Sequence, residues 1–171
     1  MKSCWIFFIF FLIAFRTDFL FAQSVSKTAR VSFEIEPVTT LKVASGSGAT
    51  AVRLGPISPR AEIPPQPLEI SIVTNTHQSY RVYHELQEDV VSESGAAFPS
   101  DRLLFMVTQG NRGGASSISN FTPVPQGETP IFTSKPEGGP DTFQILYAIN
   151  NTKLFEAGTY YGNISIDLRN E

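Results

Sequence analysis

The sequence of 171 residues is very poor in cysteine, and its only one is Cys4. Cys4 lies before an apolar run at the N-terminus, in a segment that we predict to be removed. The chain that remains has no thiol, which excludes a disulfide, a thiolate nucleophile and a cysteine metal site. A domain of this kind must be stabilised by burial of apolar surface, and the chain is long enough for that.

The sequence also lacks a strong excess of positive or negative charge. The 13 basic and 16 acidic residues give a formal net charge of −3, and the two signs are scattered along the chain. Because there is no basic stripe, the charge pattern disfavours anionic membrane surfaces as partners, and we expect no nucleic acid. The sequence also contains no convincing amphipathic helical window and no internal repeat.

Motifs for catalysis or metal binding are absent as well. His77 and His84 are the only histidines, their spacing matches no zinc site, and no G-x-S-x-G motif provides a nucleophile. The acidic residues of 85–93 lack the spacing of a calcium loop and indicate a solvated loop. The glycine-rich stretch 110–120 lacks the Lys-Ser/Thr pair of a phosphate loop and indicates a flexible loop. We therefore expect no catalytic residue, no metal and no cofactor, and we predict that the protein is not an enzyme.

The N-terminal residues have the parts of a secretory signal peptide. Lys2 gives the positive charge, residues 5–15 are continuously apolar, and small residues allow cleavage after Ala22 or after Ser24. The alternative is an uncleaved membrane anchor. The short apolar run and the two charged residues that follow it disfavour that alternative.

This signal predicts three parts of the chain. Residues 1–22 are a signal peptide, residues 23–30 are a polar N-terminal arm, and residues 31–171 are one folded domain. We expect the protein to be secreted, or to lie in the periplasm or at the cell surface, with no stable membrane anchor after cleavage.

Alternation of apolar and polar residues is the dominant pattern in the rest of the chain. In VSFEIE, residues 31–36, Val31, Phe33 and Ile35 share one face, which predicts a half-buried first strand. The other segments with strand character are 39–43, 68–75, 80–86, 102–108, 131–133, 142–149 and 160–169. Polar turns separate them, so we predict an all-β fold, a single immunoglobulin-like antiparallel β-sandwich of about seven to nine strands. An up-and-down barrel is the alternative, which the irregular strand spacing disfavours.

The end of the sequence carries a recognisable combination of segments. The strand TFQILYAI (142–149) is followed by Ala-Gly-Thr-Tyr (157–160) and the strand YGNISIDL (161–168). This combination resembles bacterial secreted immunoglobulin-like sandwiches such as pilus subunits and domains of the spore coat protein U type. The resemblance implies an extracytoplasmic, non-catalytic bacterial domain. In the turn, we expect Tyr160 to bury its ring and to use its hydroxyl on a nearby backbone group.

The first functional hypothesis is a secreted structural or assembly module, a pilus-like or coat-like subunit. Its partners would be other proteins or copies of itself, bound by pairing at sheet edges. Val31, Phe33 and Ile35 would then contact the partner as an added strand. The competing interpretation, in which these residues are the domain's own first strand, has the lower entropic cost.

The second hypothesis is a module that binds a surface glycan or polymer. Exposed aromatic side chains would provide its contacts. Tyr83 and Tyr161 lie on the polar faces of their predicted strands and are the candidates for this role.

Overall fold

The structure is a computed structural model that describes residues 30–45, 51–56, 63–150 and 156–171. The predicted signal peptide and the predicted polar arm, apart from Arg30, lie outside the described residues. The chain divides into two units, Met1–Ile35 and Glu36–Glu171. Each unit is described by itself below.

Eleven strands and one short 3₁₀ turn, Ser100–Arg102, make up the regular structure of the described ranges. The strands are β1 (Thr39–Ser45), β2 (Gln66–Thr74), β3 (Tyr80–Leu86), β4 (Val91–Ser92), β5 (Leu103–Val107), β6 (Ala115–Ser116), β7 (Thr122–Pro123), β8 (Thr129–Thr133), β9 (Asp141–Ile149), β10 (Tyr160–Tyr161) and β11 (Ile164–Asn170). The predicted all-β fold is therefore confirmed. Across the described ranges, no helix has the length and apolar character needed to cross a membrane.

The strands form antiparallel sheets. One sheet has five strands in the order β1-β2-β9-β5-β7, and another has four in the order β11-β3-β8-β6. A small third sheet pairs β10 with β4. The described ranges contain eleven strands, whereas seven to nine were expected. Four of the eleven, β4, β6, β7 and β10, have only two residues each, which is too short to produce an alternating pattern in the sequence. The immunoglobulin-like type of the sandwich stays a prediction.

One apolar core lies between the two larger sheets. In β3 every second residue is buried, as the alternation predicts, and β2 and β9 show the same pattern. The ring of Phe132 in the four-stranded sheet stacks on Phe143 in the five-stranded sheet, with 4.0 Å between ring centroids. Fully buried side chains from both sheets complete the core: Leu68, Ile70, Ile72, Tyr80, Val82, Phe105, Val107, Ile131 and Ile145.

The prediction of a first strand over 31–36 is wrong. Residues 30–38 form no strand, and the side chains of Val31, Phe33 and Ile35 are 85%, 82% and 71% exposed. The sheet begins instead at Thr39, where β1 pairs with β2. The alternating pattern is present in the sequence, but no strand of the described ranges pairs with this segment.

The prediction of one continuous final strand is also wrong. Two short segments replace it: β10 pairs with β4, and β11 pairs with β3. The break falls at Gly162, where a side-chain Cβ would lie 2.7 Å from a methyl group of Val90. Only glycine allows this close approach, so the chain changes partner there.

The turn before β10 has the predicted contacts. The hydroxyl of Tyr160 donates a hydrogen bond to the carbonyl of Glu156 at 2.9 Å. The ring of Tyr160 is partly buried and meets Phe98 edge-on, with 5.5 Å between centroids. This tyrosine therefore ties the turn to the body of the domain.

The stretch 110–120, expected to be a flexible loop, is structured and contains β6. The buried carboxylate of Asp141 accepts hydrogen bonds from the backbone N–H groups of Arg112 and Gly114, both at 2.9 Å. Asp141 is far from this loop in sequence, which is why local composition alone indicates flexibility.

Candidate functional site

The two sides of the sandwich are built differently. We use "closed side" for edge strands β6 and β7 with the connecting residues 117–121, and "open side" for edge strands β1 and β11. On the closed side, the N–H of Ser117 donates to Ile131 of one sheet at 3.0 Å. The carbonyl of Ile118 accepts from Val107 of the other sheet at 2.7 Å. The connection therefore bonds to both sheets and covers the core on this side.

The open side contains a groove of about 380 Å³ between the two sheets. Six residues line it: Thr39, Leu41, Ile166, Asp167, Leu168 and Asn170. Leu41, Ile166 and Leu168 pack against the core but remain only partly buried. Within the described chain, no strand pairing joins β1 to β11. The groove is therefore a cleft between two sheet edges, lined by three apolar and three polar residues.

The backbone of β1 offers hydrogen-bonding groups to the open side. The carbonyl of Val38 points toward β2, because it accepts a hydrogen bond from the N–H of Asn75 at 3.2 Å. In an antiparallel ladder the direction of these groups alternates. The N–H and C=O groups of Leu41 and Val43 therefore point away from β2, to the edge where no strand of the described ranges pairs with β1. Such an edge is a template for an additional strand.

Asn75 holds the chain just before β1. Its side-chain carbonyl accepts a hydrogen bond from the N–H of Val38 at 2.7 Å, and its side-chain amide donates to the carbonyl of Glu36 at 3.0 Å. With the backbone contact to Val38, three hydrogen bonds join Asn75 to residues 36–38. We call this set of contacts the Asn75 clamp. It joins residues 36–38 to the residue that follows β2, beyond the end of the β1–β2 ladder.

The residues predicted to contact a partner, Val31, Phe33 and Ile35, belong to the first unit. They are among the most exposed large apolar side chains of the described ranges. Burial of such side chains is favourable by about 1.5–3 kcal/mol each. Their exposure therefore leaves three large apolar side chains of this segment in contact with solvent.

The two aromatic residues predicted for surface contacts lie on different sheets. Tyr83 is only partly exposed, because the guanidinium of Arg169 lies 4.6 Å from its ring centroid. Arg169 is itself held by Glu128, and this hydrogen bond raises the pKa of Arg169. Tyr161 is 58% exposed, and its hydroxyl donates to a carboxylate oxygen of Glu93 at 3.2 Å. The structure therefore does not bring the two tyrosines together.

His84 occupies a buried position between the sheets. Its Nε2 and the hydroxyl of Tyr147 share a hydrogen bond of 2.9 Å, and its ring lies 5.0 Å from that of Phe105. Burial lowers the pKa of His84 to about 4, so the imidazole is neutral near pH 7. Burial also raises the pKa of Tyr147. His84 belongs to the four-stranded sheet, and Phe105 and Tyr147 belong to the five-stranded sheet, so these contacts join the two sheets.

Metal-binding clusters are also absent from the part of the chain that the structure describes. No group of three or more His, Cys, Asp or Glu side chains comes together within those ranges. The acidic residues predicted as a solvated loop include Glu88 and Asp89, which are exposed.

Sequence reasoning missed Asn75 and the groove. Asn75 is the last residue of the segment 68–75 that we predicted as a strand, and an asparagine at the end of a strand is common in turns. Its partners, Glu36 and Val38, lie 39 and 37 residues away in sequence. The groove forms because the edge strands β1 and β11 lie at the same side of the two sheets. No local sequence pattern predicts this arrangement.

Two comparisons with known proteins gave no relative from which a role can be taken. A scan against models of protein families found no match. A search of curated proteins also found no match. The fold and the open side therefore provide the basis for a functional proposal.

Proposed function

We propose that this protein is a secreted, non-catalytic assembly module of the bacterial cell surface or periplasm, which joins copies of itself through added strands. The donor is the segment Val31–Ile35 of one copy, and the acceptor is the groove on the open side of a second copy. One observation carries the proposal: a single chain contains both an open groove between sheet edges, with three apolar residues in its lining, and an exposed segment with alternating apolar side chains.

The donor segment and the acceptor edge are complementary. If the segment lies antiparallel along β1 with Phe33 opposite Leu41, its apolar side chains face the core and Ser32 and Glu34 face solvent. Glu34 then lies diagonally across from Lys42, an exposed residue of β1. Main-chain hydrogen bonds give such an added strand its affinity, and side chains placed in the groove give it specificity.

The two surfaces also predict the form of the assembly. Donor and acceptor are different parts of the same molecule, so the contact is head-to-tail and leaves one donor and one acceptor free at the ends. The predicted signal peptide supports a location outside the cytoplasm, and the resemblance of the final strands to pilus and coat subunits supports a structural role.

The first experiment measures the size of the assembly. The protein is produced with its own signal in a secreting bacterial host, beside a variant that lacks residues 23–36, and both are analysed by size-exclusion chromatography with light scattering. We expect concentration-dependent oligomers of the longer chain and monomers of the variant, with the same circular-dichroism spectrum. Oligomers of equal size in both samples would rule out the donor segment.

The second experiment tests the donor and the groove separately. A labelled peptide of residues 30–36 is titrated with the variant that lacks 23–36, and fluorescence anisotropy reports binding. The matched peptide has Val31, Phe33 and Ile35 replaced by serine and should not bind. A Leu168→Asp substitution in the groove should weaken binding of the original peptide at least tenfold, because it places a charge where the apolar side chains would lie. Equal binding of the two peptides would contradict the proposal.

A second candidate function is binding of a surface glycan or polymer. The exposure of Tyr161 beside Glu93 favours it, because sugars pack on aromatic rings and hydrogen-bond to carboxylates. Affinity electrophoresis in gels that contain polysaccharide tests this function. Glycan or polymer binding would be supported over assembly if the protein is strictly monomeric, if Tyr161→Ala abolishes the retardation, and if the control Tyr83→Ala does not.

A further inference from the structure

The strand β11 presents a second backbone edge on the open side. At its two ends, the carbonyl of Asn163 accepts a hydrogen bond from Gln87 at 2.9 Å, and the N–H of Glu171 donates to Ser79 at 2.8 Å, so both groups point toward β3. The register between these ends is regular, and the direction of the groups alternates along an antiparallel ladder. The even-numbered residues of β11 therefore turn their N–H and C=O groups away from β3, to an edge that no strand of the described ranges covers. These residues are Ile164, Ile166, Leu168 and Asn170.

Two opposite charges lie two residues apart on the outer face of β11. Asp167 is opposite Tyr83 in the ladder with β3, and the guanidinium of Arg169 lies over the ring of Tyr83, so both side chains leave the sheet on that face. Both are exposed. Within the described ranges, the carboxylate of Asp167 takes part in no hydrogen bond or ion pair. Arg169 uses two guanidinium nitrogens on Glu128, and its remaining N–H donors are available to a second carboxylate.

We propose that β11 of one copy pairs with β11 of a second copy, antiparallel and about a two-fold axis at Leu168. An axis midway between two opposite charges places each of them opposite the other in the second copy. Asp167 of each copy then faces Arg169 of the other, which gives two cross-strand ion pairs on the outer face. At the axis, the two Leu168 residues exchange their main-chain hydrogen bonds, and their side chains meet on the core face.

Charge selects this register among those that the edge of β11 allows. An axis at Asp167 or at Arg169 places like charges opposite each other, which is destabilising. An axis at Ile166 places Asp167 opposite Ser165 and forms no ion pair. Of these registers, the axis at Leu168 is the one that pairs opposite charges on both of its sides.

This contact goes beyond the proposed function and does not depend on it. The donor segment pairs with β1 in the five-stranded sheet, whereas this contact joins two copies through β11 in the four-stranded sheet. It uses the same surface on both copies and therefore stops at a dimer. A contact between two strand edges is small, so we expect a dissociation constant of about 0.1–1 mM, and monomers at micromolar concentration.

Reversal of the two charges tests the contact. The parent is the full chain, secreted through its own signal, with Val31, Phe33 and Ile35 replaced by serine to remove the donor contact. Sedimentation equilibrium from about 10 µM to about 1 mM measures its dissociation constant. We expect Asp167→Arg and Arg169→Asp each to weaken the dimer about tenfold, because two cross-strand pairs then carry like charges. The double substitution restores opposite charges and should return the dissociation constant to within about threefold of the parent's value.

Two controls accompany the charge reversals. Glu128→Gln removes the partner that Arg169 has within its own chain and leaves both edge charges in place, so it should not weaken the dimer. Circular dichroism shows whether each variant is folded. If a reversal prevents folding, Asp167→Asn or Arg169→Gln replaces it, with an expected loss of about threefold.

Amide proton shifts measured by NMR on dilution locate the contact and its register. The N–H groups of Ile166, Leu168 and Asn170 gain hydrogen bonds in the dimer, so their signals should move downfield as the concentration rises. The signal of Ile164 should stay in place. An axis at Ile166 would instead move Ile164 and leave Asn170 unchanged. The N–H of Asp167 points toward β3 and is the internal reference.

The outcomes separate this contact from the proposed function. A parent that stays monomeric at about 1 mM would overturn the inference. So would a dimer that neither reversal weakens, a double substitution as weak as the single ones, or shifts confined to another surface. Failure of the donor contact appears in the peptide titration, which does not involve pairing of β11 with β11.

Discussion

On the closed side of the sandwich, a connection bonds to both sheets, whereas on the open side two strand edges face each other across a groove. Ser117 and Ile118 contribute backbone bonds to opposite sheets, and no equivalent connection joins β1 to β11 in the described ranges. Both sides have apolar residues at the core face. The difference shows that a sheet edge is protected from pairing with another strand by a segment that bonds across it. Alternation of apolar and polar side chains alone does not protect the edge.

The largest effect should come from the core next to the closed side. Phe132 is fully buried and stacked on Phe143, so Phe132→Ala should lower the free energy of unfolding by about 3–5 kcal/mol. Leu168→Ala on the open side should cost only about 1–2 kcal/mol, because Leu168 is only partly buried. Urea denaturation of both substitutions, in the chain that lacks 23–36, measures this contrast. Equal losses would mean that the open side is as well packed as the closed side.

Acidification should weaken the contact between the sheets at His84. Its pKa is about 4 in the folded protein and 6.5 in the unfolded chain, so the unfolded state binds the proton more readily. Stability is therefore complete above about pH 6.5 and decreases as the pH falls toward 4, by about 3 kcal/mol. Urea denaturation between pH 4 and 7 checks this slope.

A double substitution isolates the contribution of His84. Replacing His84 by leucine and Tyr147 by phenylalanine removes the titrating group without leaving a buried hydroxyl unpaired, so the slope between pH 4 and 6.5 should flatten. His77→Asn is the control, because asparagine tolerates the positive φ of 52° that His77 adopts in its turn. A slope that the double substitution leaves unchanged would show that other groups cause it.

Removing the side chain that anchors the loop before β6 should have a moderate effect on stability. Asp141→Ala removes the acceptor for the N–H groups of Arg112 and Gly114, and we expect a loss of about 1–3 kcal/mol in the free energy of unfolding. Hydrogen exchange of these two amides should accelerate at the same time. Asp167→Ala, an exposed aspartate on the open side, is the control and should change stability by less than about 0.5 kcal/mol. Slow exchange of both amides in Asp141→Ala would show that another group anchors the loop.

The smallest effect should come from the outer surface of β11. Arg169 pairs with Glu128 and lies over Tyr83, but its side chain is 54% exposed. Solvent and salt screen such a pair. Arg169→Ala should therefore shift the urea midpoint less than any substitution above, and 1 M salt should remove the difference. A shift that persists in salt would indicate that packing on Tyr83 dominates.

Period-two alternation predicted most of the sheets. The strand over 80–86 agrees with β3 residue for residue, and 142–149 differs from β9 by one residue, because in both cases one face enters the core. The same rule failed for Val31, Phe33 and Ile35, since alternation reports that a segment has an apolar face and not which surface covers it. It also failed at Gly162, where close approach to Val90 divides the final strand.

The candidate site was less predictable than the fold. The sequence indicated a possible donor segment, but the acceptor groove depends on pairings between distant parts of the chain. The hydrogen bonds of Asn75 to Glu36 and of Asp141 to Arg112 are likewise long-range contacts. A contact between residues that lie about thirty or more positions apart produces no periodic pattern in the sequence.

The position of β9 at the centre of the five-stranded sheet has a consequence for the time at which the protein can fold. Its neighbours β2 and β5 both precede it in the chain, so that sheet cannot close until residues 141–149 have been synthesised. Sheets built from such distant pairings fold slowly, in milliseconds to seconds. In a chain made from its N-terminus, β2 and β5 therefore wait without their shared neighbour until β9 has been synthesised.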